Sequence, residues 1–498
     1  MPDVVVVGAG VGGLAAAIRV AAAGHRVTVV ERLDHVGGKL DERTADGFTW
    51  ETGPSLLTLP EVFRELASVG GHDLDDLVDL VRLDPICRYR FADGSTFDHG
   101  AETADSIAAA DAVTPGAGRQ LADFLDRART VWEVSERTFF AGAMGSPLRL
   151  LRRMRSPRDL LDIDPLRTLH GRAAATFDDE RFVQWADRYA TYSGSSPFAA
   201  PATLGCIPHL EQELGAWYVR GGLARLADAL AQVAADVGVE LRTGCDVDII
   251  THSAGGVTGV RLDDGDHLPA DAVIANADAL HLYRDLLPHA RARRRAERAP
   301  RSSSGFVLLL GVSGATEGLA HHNIRFSGDY RAEFDALFDA REPVADPTIY
   351  VAASSVTDPS QAPDGHENWF VLVNAPSFDD PDEEAARYQG YGDHVLEVMA
   401  ERGWDLAGRI VHREEIRPVD IASRFRTPGG SIYGTSSNGP MAAFLRPGNR
   451  GPVDGLYLCG GSSHPGGGLP LVAISGRIAA DLCLADLPAP GPSPTPGI

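Results

Sequence analysis

The sequence predicts an α/β fold whose parallel sheet is assembled from separated stretches of chain, and three observations point to it. The β-branched run at 4–7 passes directly into Gly8-Ala9-Gly10-Val11-Gly12-Gly13. One helix later a second strand signal, residues 26–30, ends on Glu31. Near the far end of the chain, residues 455–461 read as another buried strand entering a glycine turn, with a helix behind it.

The chain has 498 residues, enough for two or three domains at roughly 150 residues each. A formal net charge of −23 repels polyanions, so no nucleic acid partner is expected. The five cysteines, Cys87, Cys206, Cys245, Cys459 and Cys483, are odd in number and lack metal-ligand spacing, so reduced buried thiols and no metal site are expected. The apolar start has no basic region before it and leads into a helix, as a strand does and a signal peptide does not. No stretch reaches the roughly 18 apolar residues a spanning helix needs.

In the first unit the continuous run at 4–7 suits a strand buried on both faces. Gly8 permits the tight turn, Gly10 and the backbone through Val11 and Gly12 approach a pyrophosphate, and Gly13 lets the helix at 14–23 pack on the strand. Gly24 ends that helix, and Glu31 closes the next strand where a carboxylate accepts ribose hydroxyls and disfavours a 2′-phosphate. Strand, glycines, helix, strand and acid in that order make a Rossmann-type unit that fits NAD or FAD.

The residues that follow choose between them. Gly37-Gly38-Lys39 resembles the second pyrophosphate contact of the flavoprotein superfamily that includes amine oxidases and carotenoid desaturases, with Lys39 in place of the commoner Arg. Residues 48–55, ending Glu51-Thr52-Gly53-Pro54-Ser55, resemble the segment that runs beside the flavin ring, with Glu51 in place of Asp. FAD is the cofactor this resemblance implies, held in part by Gly53, Pro54 and Ser55. Glu51 reads equally as a strand-end carboxylate.

In the middle, 217–222 leads into an amphipathic helix at 223–237. Strand signals at 239–241 and 247–250, turns at Gly255-Gly256 and Asp263-Asp264-Gly265, and a strand at 271–278 follow. By the same resemblance Val247 lies near the adenine; it reads also as a core valine of a hairpin. The FAD-binding domain is therefore expected to be discontinuous, made of 1–75, 217–280 and 415–487. An α+β substrate domain with a helical cap is expected from 76–216 and 281–414, and a Pro-rich disordered tail from 488–498.

At the close, Gly460 and Gly461 form the turn, and Gly468, Leu469 and Pro470 stand just before a helix expected at 471–486. The helix N-terminus offers unpaired donors and positive dipole charge to an anionic flavin edge. Ser462-Ser463-His464-Pro465-Gly466-Gly467-Gly468-Leu469-Pro470 resembles the closing motif of the bacterial-type phytoene desaturase family, the FAD-dependent carotenoid desaturases. Segments at 321–324, 329–334, 355–360 and 363–368 resemble the same family, so the likeness runs from Val4 to Leu487. It implies a flavin amine oxidase-like two-domain fold and desaturation of a linear carotenoid. Residues 430–450 look closer to branches acting on later or 1-hydroxylated intermediates, as in a 3,4-desaturation.

That chemistry removes a hydride from an allylic carbon and a proton from its neighbour, with oxygen or a quinone reoxidising the flavin. No His/Asp pair announces a base; Glu51 and His464 are the candidates, each with a structural alternative as a hydrogen-bonding group. An apolar substrate dissolved in a bilayer implies a cytoplasmic enzyme peripherally associated with the membrane. Arg149, Arg152, Arg153, Arg155 and Arg158, interleaved with Leu148, Leu150, Leu151 and Met154, offer a means, or else a solvated face. Two other functions share the architecture: an amine oxidase, which usually carries paired aromatics before the closing motif where this chain has Phe444, and a flavin-free chaperone of prenylated GTPases, which lacks the full cofactor motif.

Overall fold

The computed structural model describes residues 1–144 and 147–488; the tail from 489 lies outside the described residues. Five parallel strands form one sheet in the order Leu456–Leu458, Ala272–Ala275, Asp3–Val7, Arg26–Val30 and Glu240–Arg242. Its hydrogen bonds therefore need the start, middle and end of the chain together.

The valine run at the start shows why no polar residue interrupts it. Val4 and Val6 pack into a core with the helices Val11–Ala22, Ala224–Asp236 and Leu469–Asp486. Val5 and Val7 face the other way, onto the three-stranded sheet Val247–Ser253, Gly256–Leu262, His267–Pro269. Alternate residues thus meet different layers, and both layers are apolar.

A second sheet has seven strands, in the order Ile410–Ile416, Ser304–Ser313, His366–Ala375, Ile349–Ala352, His322–Arg325, Cys87–Arg90 and Thr96–His99. It is antiparallel except where His322–Arg325 runs parallel to Cys87–Arg90, the joint at which the two long insertions meet. Helices Thr103–Val113, Ala117–Thr138, Glu180–Asp187 and Ile207–Glu213 pile onto that end. Trp185 meets Phe97, Phe124, Phe177 and Tyr189 there, every ring edge-on. Strand Phe48–Glu51 ties the two bodies together, because Trp50 Nε1 donates to Leu310 O at 3.1 Å and Phe48 packs with Val307 and Leu309.

Two helices start earlier than the sequence suggests. The first begins at Val11 rather than Leu14, and the closing one at Leu469 rather than Leu471. Glycine disfavours helix, so a propensity argument starts after Gly13; packing overrides it, because the first turn touches neighbouring backbone. The short strands Trp217–Val219 and Leu80–Arg82, paired antiparallel, were also not foreseen, since three residues carry no alternation signal.

Candidate functional site

Because the first sheet is parallel, the carboxyl ends of its strands lie on one side, where ligands of open α/β sheets bind. The glycine turns gather there. Gly8 N–H donates to Val30 O at 2.7 Å, and Gly37 N–H to Ala9 O at 3.0 Å, which lays Gly37-Gly38 along the first turn. A Cβ on Gly13 would sit 2.1 Å from Gly8 O, and one on Gly38 3.2 Å from Gly10 Cα. The closing segment locks onto the same place: a Cβ on Gly12 would lie 3.1 Å from Gly460 N, and one on Gly476 2.3 Å from Gly12 O.

Asn276, one residue past strand Ala272–Ala275, sits at the centre of this cradle. Its backbone N–H donates to Val7 O at 2.8 Å, and Cys459 Sγ donates to its Oδ1 at 3.6 Å. Side chains added at Gly10, Gly12 or Gly460 would each come within 2.8 Å of its amide. Sequence reasoning passed over it; the signal was its place at a carboxyl end of the sheet beside the first strand.

The cradle is built to receive negative charge. Gly10 and Gly468 cap the helices Val11–Ala22 and Leu469–Asp486 without any side-chain acceptor, leaving their first N–H groups free for a ligand. Leu469 and Pro470 form the first turn of the second of these, and Gly461 lies against Gly467 just before it. Lys39 is the local cation. Its Nζ donates to Ile432 O at 2.5 Å and reaches Ser431 O at 3.5 Å, with no carboxylate within ion-pair distance among the described residues. Burial pulls its pKa down to about 8, against the opposing charge of Asp278. Arg446 is similar: it donates to Gly461 O at 3.0 Å and Thr435 O at 2.9 Å, bracing the closing turn, and burial lowers its pKa to about 10.

Glu31 is buried, and accepts from Ala9 N–H at 2.7 Å and Leu33 N–H at 2.8 Å. A carboxylate has about four acceptor sites, so the two left over remain for ribose hydroxyls. Val247 is buried in the core that holds Val30, just after Cys245, whose N–H donates to Glu31 O at 2.9 Å. Gly53 crosses Lys39, where a Cβ would lie 1.8 Å from Lys39 O, and Pro54 carries the chain to Ser55. Ser55 Oγ bonds the Tyr350 hydroxyl at 2.6 Å, and that hydroxyl pairs with His322 Nδ1 at 2.8 Å.

The two candidate acid–base residues are both engaged in backbone hydrogen bonds. His464 Nε2 donates to Phe139 O at 2.9 Å, while its own carbonyl accepts from Asn449 Nδ2 and Ser475 Oγ. Burial pushes its pKa down to about 4. Glu51 accepts from Leu223 N–H at 3.3 Å at the start of a helix, and burial raises its pKa to about 8. A carboxyl whose folded pKa lies above its unfolded value loses stability as pH rises through that window. Glu51→Gln is therefore expected to melt above wild type, by a margin that widens from about pH 5 to about pH 8 and is level beyond. Thermal melts across that range check it; a constant margin would place the ionisation of Glu51 elsewhere.

Beside the cradle, the Tyr433 ring lies between Gly194 and Gly467, whose added Cβ atoms would fall 2.9 and 2.6 Å from its edges. Arg188 stands between the rings of Tyr192 and Tyr350, 5.8 and 6.0 Å from their centroids. Neither residue was singled out from sequence. Phe444, the aromatic noted there, sits on the short helix Ala442–Leu445, and its carbonyl accepts from Arg295 at 3.2 Å.

The residues present fit FAD: a cradle any Cβ would fill, two uncapped helix N-termini, a half-buried cation with no counter-anion among the described residues, and a carboxylate with acceptor sites to spare. A family model described as flavin containing amine oxidoreductase matches residues 11–484. A 4,4'-diapolycopene oxygenase of Methylomonas sp is 36% identical over 97% of this chain and 98% of its own. A 4,4'-diaponeurosporene oxygenase of Staphylococcus haemolyticus is 33% identical over 96% of each. Among solved structures, an oxidoreductase from Methanosarcina mazei has the same fold at a TM-score of 0.65 and 19% identity, covering 96% of this chain and 100% of that one.

Proposed function

The chain belongs to the flavin containing amine oxidoreductase family, and from that premise we propose that it oxidises a linear carotenoid, inserting oxygen at the chain end. FAD is its cofactor, and it is a flavin-dependent oxidoreductase. One observation carries the substrate and reaction: the similarity to a diapolycopene oxygenase extends over nearly the whole of both chains. Desaturation, a loss of two hydrogens, is the second reading, favoured by the His464-Pro465-Gly466 closing motif and its surroundings.

Bound flavin supplies a two-electron acceptor for C–H oxidation. The protein's own residues hold it and shape the space beside it. Lys39 and the N-terminus of Val11–Ala22 take the pyrophosphate, Glu31 the ribose, and the N-terminus of Leu469–Asp486 the anionic edge of the ring. Ser55 with Tyr350, and Tyr433 on Gly467, wall the space where a polyene end would lie. No strong base is needed: a carbon chain that has lost hydride to the bound flavin would take up water at its end, the new C–O bond forming as that water gives its proton to solvent, whereas loss of a proton from the neighbouring carbon instead would give the desaturated product.

An amine substrate is disfavoured by charge. Arg188 already occupies the gap between Tyr192 and Tyr350, and a second cation there would be repelled. The chaperone alternative is disfavoured by the complete cofactor cradle.

Delivery from a bilayer is part of the same proposal. Leu151, Leu160, Leu161 and Leu166 are all exposed, the last two by 75% and 88%, among exposed Arg152, Arg155, Arg158 and Arg167. Arg153 turns inward to Thr138 O and Gly142 O, Leu150 is buried, and Leu148 and Arg149 lie outside the described side chains. Met441 and Leu445 are exposed as well, at the ends of the short helix that Arg295 ties to the helix Ala290–Arg298, itself rich in arginine. Among the described residues no helix is long and apolar enough to cross a membrane. The triple variant Leu160→Ser, Leu161→Ser, Leu166→Ser is expected to co-float with anionic vesicles about tenfold less than wild type. Equal flotation would remove this face from membrane binding.

The reaction is tested with purified holoenzyme and a linear carotenoid hydrocarbon in vesicles, read by product mass. Addition of oxygen supports the proposal; loss of two hydrogens alone supports the second reading. No product from any linear carotenoid, with flavin bound, overturns both.

A further inference from the structure

Arg188 is a guanidinium in a place where a hydrocarbon substrate gives it nothing to do. It lies in the short helix Arg188–Ser193, only partly exposed, and makes no hydrogen bond or ion pair from its side chain to any described residue. Its neighbours are rings: Tyr192 at 5.8 Å and Tyr350 at 6.0 Å. Its charge also reaches Tyr433, opposing the rise that burial causes in that phenol's pKa, and Glu211, whose carboxyl burial raises to about 7 while Tyr192 and Tyr189 hydrogen-bond it. No carboxylate comes close enough to pair with it among the described residues.

Two cation–π contacts at such distances are weak and return less than it costs to withdraw an unpaired guanidinium from water. If the ligand were apolar throughout, an aliphatic side chain would fill this space at lower cost. Position narrows the purpose. Tyr350 is hydrogen-bonded to Ser55 on one side, and Tyr433 packs on Gly467 on the other, so Arg188 sits between the two segments that flank the flavin position. The group it meets is therefore at the reacting end of the substrate.

We propose that Arg188 is a specificity-determining residue that donates hydrogen bonds to an oxygen atom already present on the end of the polyene, so that the enzyme binds end-oxygenated chains in preference to the parent hydrocarbon. This rests on the carotenoid reading above. It gives the site a second use: the alcohol or aldehyde made in a first oxidation is held for a further one instead of being released. The donor fork of the guanidinium suits a carbonyl or carboxylate oxygen, and the tyrosine rings tolerate the conjugated chain behind it.

The test is a binding titration, followed by the flavin absorbance of the holoenzyme, with a linear polyene hydrocarbon and with the same chain ending in an aldehyde. Because it needs no turnover, it reads Arg188 even if the reaction is other than proposed. Wild type is expected to prefer the aldehyde, and Arg188→Met to lose that preference by about tenfold to hundredfold, the worth of one charge-assisted hydrogen bond. Arg188→Lys, which keeps a single donor charge, is expected to recover part of it. An unchanged preference ratio in both variants, at normal flavin content, overturns the inference and leaves the carotenoid reading standing. If wild type binds neither chain, the carotenoid reading falls and this inference falls with it. Should Arg188→Met not retain flavin, the ratio in Arg188→Lys and Arg188→Gln decides.

Discussion

Gly13→Val is expected to yield protein without flavin. The added Cβ would stand 2.1 Å from the carbonyl oxygen of Gly8, a backbone atom, and 3.2 Å from Asn276 Cβ. Gly8 cannot yield, because its N–H is bonded to Val30 O and its φ of 97° already fixes the turn. The helix Val11–Ala22 cannot yield either. Leu14, Ala15, Ala16 and Ala17 are fully buried in it, and Gly12 O lies under Gly476 of the closing helix. Overpacking of this kind costs about 1–3 kcal/mol even where the core can adjust. Here the adjustment opens the pyrophosphate cradle, so flavin affinity should fall by more than about hundredfold. Gly255→Ala is the control, since its Cβ would meet only Ser253 Oγ at 3.8 Å. The flavin-to-protein absorbance ratio after purification checks both. A yellow Gly13→Val variant with full flavin content would mean that the cofactor is held by something other than this turn.

What the sequence made legible about this site was local. The valine run, Gly8 to Gly13, the following helix and Glu31 fall within one βαβ unit, and their spacing alone requires a nucleotide-sized crevice at the strand ends. The closing glycines were legible for the same reason. Asn276 was not, because what matters about it is that strand Ala272–Ala275 lies between Leu456–Leu458 and Asp3–Val7, a pairing across nearly the length of the chain. Tyr433 and Arg188 stand in a loop and a short helix without periodicity, and acquire their meaning only where the two insertions close on the cradle. His464 shows the converse. It drew attention as a titratable group in a flavin motif, yet its ring ties the closing segment to the end of the helix Ala117–Thr138.

Lys39→Met is expected to weaken flavin binding by about tenfold to hundredfold near neutral pH, the range of a charge-assisted hydrogen bond to phosphate, and to flatten the pH dependence of what remains. In the free protein Lys39 has, among the described residues, only the carbonyls of Ile432 and Ser431 as partners, and burial holds its pKa near 8. A diphosphate beside it favours the ammonium and raises that value. Below pH 8 the group is charged in both states, and affinity does not change with pH. Above pH 8 the free protein has lost the proton and binding must take one up, so affinity falls toward tenfold per pH unit until the bound-state pKa is passed. Stability of the flavin-free protein runs oppositely. Its folded pKa lies below the unfolded value of 10.5, so the cost of burying the charge is present below pH 8 and is relieved as pH rises from 8 to 10.5. Lys39→Arg separates charge from shape: it stays protonated throughout, so it should bind flavin at alkaline pH more tightly than wild type does. Flavin titrations at neutral and alkaline pH read all three proteins. If Lys39→Met kept the wild-type profile, the titrating group would lie elsewhere in the cradle, and Lys39 would be a brace for the loop at 431–432 instead of the cation of the pyrophosphate site.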